Sequence, residues 1–154
     1  MKIATVYIEV HLIRENNGKI EFLLLKRASY EKFPDIWQMV SGKIKSDETA
    51  IEATLREIKE ETNLIPEKLW VLPRVNSFYL AEDDSINLVP VFVAKVDNKS
   101  IVKISDEHSE FSWVDGKEAK RLLAWSGQRA SIDLISEYFD YSKRSFLYLT
   151  EINL

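Results

Sequence analysis

The chain has 154 residues, enough to bury one core and short for two domains, so residues 1–154 read as a single unit. A formal net charge of −4 leaves no footprint of a general nucleic-acid binder, and a polyanionic substrate would need a metal or local cations beside it. The absence of cysteine excludes disulfides, thiolate metal sites and cysteine nucleophiles, which fits a reducing compartment.

The N-terminal stretch has polar residues inside its apolar run and no small-residue cleavage site, so it does not read as a signal peptide. No segment approaches the roughly 18 consecutive apolar residues of a membrane span. The expectation is a cytoplasmic chain with no membrane attachment. Val6 to Ile13 alternates imperfectly, with Glu9 and His11 among apolar neighbours, and Ile20 to Leu25 is apolar apart from Glu21. Asn16-Asn17-Gly18 between them predicts a hairpin. A polar, aromatic-bearing loop from Arg27 to Trp37 contains Pro34, and Trp37 to Ser41 suggests a short strand before Gly42.

Thr49 to Thr62 reads as a helix, with Thr49 as N-cap and Glu52 completing a capping box. Ile51, Leu55 and Ile58 form its apolar stripe. Trp70 to Leu80 and Ile86 to Val96 are rich in β-branched and aromatic residues and predict strands, joined by the acidic turn Glu82 to Ser85. Phe111 to Val114 is a further short strand. Lys117 to Ala124 and Ser131 to Tyr141 look helical, and the apolar run Phe146 to Leu149 is expected to dock on the body. The order argues for an α/β fold with a mixed sheet between helices.

The first helix carries more than a packing stripe. At about 100° per residue, Glu57, Glu60 and Glu61 share a sector opposite Ile51, Leu55 and Ile58. Three carboxylates on one turn repel one another, and they sit at the helix C-terminus, where the macrodipole disfavours negative charge. A hard divalent cation with oxygen ligands would relieve both costs. Taken alone, such a Glu/Lys-rich stretch is usually a solvated face; the longer spacing argues otherwise. From Gly42 the sequence runs Gly42, five residues, Glu48, seven residues, then Arg56-Glu57-Ile58-x-Glu60-Glu61-x-Asn63-Leu64. This resembles the Nudix box over residues 42–64 at every position but Asn63, where the family has glycine. Asn is the next residue to tolerate a left-handed helix end.

The resemblance implies a Nudix-type α/β/α sandwich. Trp37 to Gly42, Glu107-His108, Phe111 to Asp115 and Trp125-Ser126 further resemble the branch that includes dATP and dihydroneopterin triphosphate pyrophosphohydrolases. It implies hydrolysis of a nucleoside or pterin triphosphate to monophosphate and pyrophosphate, with dinucleoside-polyphosphate hydrolysis and nucleotide sensing without cleavage as alternatives. It further implies that Glu57, Glu60, Glu61 and the Gly42 carbonyl ligate Mg²⁺ (or Mn²⁺), while Arg56 holds the acidic cluster and Glu48 supports the loop or a further metal position. A Glu outside the box can deprotonate the water: Glu107 fits best, Glu110 is the rival, and Glu61 could serve instead. His108 reads as a polar loop residue, since Mg²⁺ prefers oxygen. Arg27 and Lys43 are candidates for phosphate, Trp37 and Phe33 for stacking on a ring, and Gln38 for reading a base edge. Phe78 and Tyr79 are also stacking candidates, with core packing the favoured role. The apolar tail could serve a homodimer interface.

Overall fold

A computed structural model describes residues 1–154. Nine strands are β1 (Lys2–Ala4), β2 (Tyr7–Asn16), β3 (Lys19–Arg27), β4 (Trp37–Gln38), β5 (Val40–Lys43), β6 (Lys68–Leu80), β7 (Ser85–Lys95), β8 (His108–Val114) and β9 (Thr150–Ile152). The helices are α1 (Ala50–Thr62), α2 (Gly116–Leu122) and α3 (Ser126–Tyr138). All strands belong to one mixed sheet in the order β4-β3-β2-β7-β6-β9, with β1 on β7, β5 on β2 and β8 on β3. β2 runs parallel to β7 and antiparallel to β3 and β5, so the α/β expectation holds.

The period-2 alternation of β2 divides the core. Ile8, Val10 and Leu12 pack with Ala53 and Ile58 of α1, whereas Ile13 packs with Ala119 of α2 and Ile132 and Ile135 of α3. α1 therefore covers one face of the sheet and α2 with α3 the other. The hairpin between β2 and β3 has Asn17 and Gly18 at φ 51° and 75°, the left-handed pair that a two-residue turn of this hand requires. In β6 the register against β7 shifts between Val71 and Val75, around Pro73, which has no N–H to give the ladder.

Several boundaries differ from the sequence expectation. Trp37 to Ser41 is two strands with separate partners: Trp37 and Gln38 pair with β3, while Val40 to Lys43 pair with β2. α3 begins five residues before the expected Ser131 and ends at Tyr138; its N-terminal half is buried through Gln128 and Ser131, which apolar periodicity does not register. β1 and β9 are short edge pairings with no alternation to mark them. In the tail, Phe146 stacks on Phe139 at 5.9 Å and Leu149 is buried, but Leu147 and Tyr148 face outward.

Candidate active site

α1 begins as the sequence predicts. Thr49 accepts from the Glu52 amide at 3.2 Å, and the Glu52 carboxylate accepts from the Thr49 amide at 2.8 Å. At the other end Asn63 adopts φ 58°, ψ 13°, with its amide donating to the Lys59 carbonyl at 2.9 Å. The Asn side chain tolerates this left-handed cap, and the helix stops where a glycine would stop it.

The buried face of α1 differs from the stripe expected. Ala53, Thr54, Ile58, Glu61 and Thr62 are buried, while Ile51 and Leu55 are only half-buried against the same cluster. Two threonines can line this face because their hydroxyls donate back to helix carbonyls, Thr54 to Ala50 at 2.7 Å and Thr62 to Ile58 at 2.6 Å. The rotation takes Glu61 to 4% exposure instead of the solvent-facing side. Burial holds its carboxyl well above the usual carboxylate range; nearby Glu57 and Glu107 push the same way, against Arg27 and the Ser41 amide. Its Oε2 has no hydrogen-bond partner.

β5 brings Gly42 against the helix. A Cβ at Gly42 would overlap the Glu57 carboxylate, so only glycine permits this approach. Glu57 is half-buried, and its carboxyl is also raised, first by burial, with Arg56 opposing and Glu60 and Glu107 adding. Arg56 ties the cluster together. It grips both oxygens of Glu48, Nη2 meeting Oε2 at 2.9 Å, and the pairing holds the Glu48 carboxyl at about 2. Nη1 donates to Glu57 at 2.7 Å and to Glu60 at 3.0 Å, and Nη2 donates to the Lys43 carbonyl at 2.9 Å.

The chain from Lys103 to Glu107 is pinned beside this helix end. Lys103 N–H donates to the Thr62 carbonyl at 2.9 Å, and Ser105 N–H to the Glu61 carbonyl at 3.3 Å. Ala28 N–H donates to the Glu107 carbonyl at 2.9 Å, and the Tyr30 hydroxyl donates to the Asp106 carbonyl. Glu107 is thereby exposed yet within electrostatic reach of both Glu57 and Glu61. Glu110 lies within β8 and pairs with Lys26 at 3.0 Å. In the β3–β8 ladder Lys26 pairs with Glu110 and Arg27 with His108, so alternation turns Glu110 to the opposite face from Arg27.

His108 is the first residue of β8 and is buried, a correction to its reading as a loop residue. It contacts the Gln38 amide at 3.2 Å, and burial, with Arg27 nearby, lowers it to about 4, so it is neutral near pH 7. Gln38 is itself 5% exposed and faces His108. Arg27 donates to the Lys32 carbonyl at 2.6 Å and pairs with Glu31 at 3.3 Å, which leaves its charge beside Glu61. Lys43 is exposed, with Nζ 5.8 Å from the Tyr7 ring centre. Trp37 is half-buried against the α2–α3 core, and exposed Phe33 meets Trp125 edge to face at 5.4 Å. Phe78 and Tyr79, for which core packing was favoured, are exposed at the end of β6 that pairs with Asn87 and Ile86 of β7.

The donor set suits a hard divalent cation: clustered carboxylates, an orphaned buried oxygen on Glu61, and a glycine carbonyl on the adjoining strand. As they stand, the acidic side chains do not converge on one point, because Arg56 engages Glu57 and Glu60. Three polar residues with no expected role, Glu9, Arg74 and Asn76, form a linked group on the sheet face opposite α1. Glu9 breaking the alternation of β2 was the available signal.

Comparison with known proteins agrees with the fold and the box. The model of the NUDIX domain matches residues 8–135. The chain is 34% identical over 117 residues to the asymmetrical bis(5'-nucleosyl)-tetraphosphatase of Caenorhabditis elegans, covering 75% of this chain and 82% of that protein. It is 33% identical over 98 residues to the dihydroneopterin triphosphate diphosphatase of Haemophilus influenzae, covering 56% and 61%. Among solved structures, a C. elegans Ap4A hydrolase binary complex superposes with a TM-score of 0.76 at 24% identity, over 88% of this chain and 97% of that one. Box, fold and relatives agree, and the chain belongs to the NUDIX family as a hydrolase of phosphoric anhydrides.

Proposed function

We propose that this chain is a Mg²⁺-dependent pyrophosphohydrolase that converts a nucleoside or pterin triphosphate to its monophosphate and pyrophosphate. The observation that carries it is Glu61: a buried carboxylate with an orphaned oxygen, beside Glu57 and Glu107 and next to a glycine whose missing Cβ leaves room for the Glu57 carboxylate. A structural helix has no use for such an arrangement, whereas phosphoanhydride chemistry does.

Glu57, Glu60, Glu61 and the Gly42 carbonyl would hold the metal, which when bound offsets phosphate charge, polarises the phosphoryl oxygen and lowers the pKa of water. Arg56 and Glu48 are positioning residues that fix the carboxylates on α1 and tie them to β5. Glu107 takes the proton from the attacking water; its exposed position beside Glu61 suits that role better than Glu110, which is neutralised by Lys26. Arg27 and Lys43 lie on strands that border the cluster and draw the phosphate chain in.

A second reading, hydrolysis of a dinucleoside polyphosphate, is favoured by the identity to the C. elegans tetraphosphatase. A substrate panel with Mg²⁺, assaying pyrophosphate and orthophosphate separately, tests both. Pyrophosphate from one triphosphate well above the rest supports the first reading, and preferential cleavage of diadenosine tetraphosphate supports the second. No hydrolysis by folded, metal-loaded protein contradicts both.

A further inference from the structure

The sheet holds a second ionisable group with no evident structural duty. Glu9 lies in the middle of β2, between Ser41 of β5 and Val91 of β7, on the face opposite Ile8 and Val10. Its Oε2 accepts from the Asn76 amide, and Asn76 is 7% exposed. The Asn76 orientation is determined: Oδ1 accepts from Arg74 Nε at 2.8 Å, and because arginine can only donate, the amide NH₂ must face Glu9. Arg74 thus fixes the amide without forming an ion pair with the carboxylate. One bond from Asn76 uses only part of the acceptor capacity of a two-oxygen carboxylate. Burial raises the carboxyl above its ordinary value, with Asn76 and Arg74 pulling it back.

Aromatic and cationic side chains flank the carboxylate on this face. Tyr7, two residues before Glu9, and Phe78, two after Asn76, share this face and meet at 5.8 Å. Phe78 is 44% exposed, so its ring is available to a partner. Lys43 stands over the Tyr7 ring and pairs with Tyr7 across the β2–β5 ladder. β5 connects this face to the acidic cluster: Ser41 and Lys43 turn toward Glu9 and Tyr7, while the intervening Gly42 abuts Glu57. β5 pairs with no strand other than β2, and its outer edge meets the acidic cluster directly, with Arg56 at the Lys43 carbonyl and Glu61 at the Ser41 amide.

We infer that Glu9, held by Asn76, is a specificity-determining residue that selects a heterocycle presenting two adjacent N–H donors. Guanine and pterin rings carry this edge, a ring N–H beside a 2-amino group. Adenine offers a ring nitrogen lone pair next to its amino group and sets that lone pair against the carboxylate. A site that hydrogen-bonds such an edge discriminates far more sharply than an apolar pocket. The inference rests on the pyrophosphohydrolase reading and chooses among its substrates.

The test compares wild type and Glu9→Gln, with thermal unfolding as the folding control. Catalysis is read as kcat/KM with Mg²⁺ on GTP, ITP, ATP and dihydroneopterin triphosphate. Binding is read by calorimetry with GMP and AMP, which needs no turnover. In wild type GTP and the pterin are expected to exceed ATP by at least about tenfold, with ITP, lacking the 2-amino group, between them. Glu9→Gln is expected to erase that ratio through KM, which rises for GTP and the pterin and falls for ATP as an amide donor replaces the carboxylate opposite the adenine lone pair, and to erase the preference for GMP over AMP. An adenine preference in wild type, or an equal loss on every ligand, overturns the inference. Absence of all hydrolysis with a Glu9-dependent GMP preference would instead refute the pyrophosphohydrolase reading and leave the ring selection standing.

Discussion

At the scale of single residues, Gly42 makes the sharpest demand. The space where its Cβ would stand is filled by the end of the Glu57 side chain, which can swing away, so the cost of filling it falls on the carboxylate more than on the backbone. Gly42→Ala is therefore expected to lower the melting temperature only slightly, with a cost of about 1–2 kcal/mol. Turnover should fall more than tenfold and the Mg²⁺ requirement should rise, both readable in one metal titration of activity. Unchanged activity and metal dependence would detach Gly42 from the site. Glu61 and Gly42 were both legible in the sequence through the box spacing, and so was the capping role of Asn63. The burial of Glu61 was not, because an apolar stripe counted from Ile51, Leu55 and Ile58 overlooks the small and back-bonded residues, Ala53, Thr54 and Thr62, on which the helix actually seats.

At the scale of elements, the turn before β8 and the strand itself assign different surroundings to two glutamates three residues apart. The turn is fastened to α1 through Thr62 and Glu61, and to the segment after β3 through Ala28 and Tyr30, which fixes Glu107 beside the cluster. Glu110, inside the strand, alternates to the other face and meets Lys26. Glu107→Gln is expected to reduce kcat by a factor of about 10² or more, with Glu110→Gln within a few-fold of wild type. The reverse ranking in steady-state kinetics would move the base to Glu110. Sequence reasoning placed both residues in one acidic loop because β8 begins at His108, three residues before the apolar run that announced it. His108 and Gln38 illustrate the same difficulty: buried polar side chains that satisfy each other leave no hydrophobic period to read.

At the scale of the whole molecule, the sheet carries the proposed catalytic cluster on its α1 face and a polar group on its α3 face, and β2 adds a buried histidine. His11 is 1% exposed with neither ring nitrogen hydrogen-bonded, and burial lowers it from 6.5 to about 3. The unfolded chain therefore binds a proton that the folded chain refuses between those values. The stability present above pH 6.5 is lost as pH falls toward 3. His11→Leu is expected to flatten this slope and to gain about 2 kcal/mol relative to wild type at pH 5, measured by urea unfolding at several pH values. Parallel pH profiles for the two proteins would show that the imidazole is not kept neutral.

Fold class and element order were open to sequence reasoning because alternation, capping and turn residues are local. The pairing of β5 with β2, which carries Gly42 to α1 and Ser41 and Lys43 to the opposite face, is a long-range property that no window of sequence holds.

The most direct test of the active-site assignment is the turnover of Glu61→Gln on the substrate that the wild-type enzyme prefers. The substitution keeps shape and removes the buried charge, so the fold should persist with a melting temperature at or above that of the metal-free wild type. Turnover should fall by about three orders of magnitude or more, through loss of a metal ligand or base. Near wild-type turnover by this variant would contradict the assignment of the acidic end of α1 as the catalytic centre.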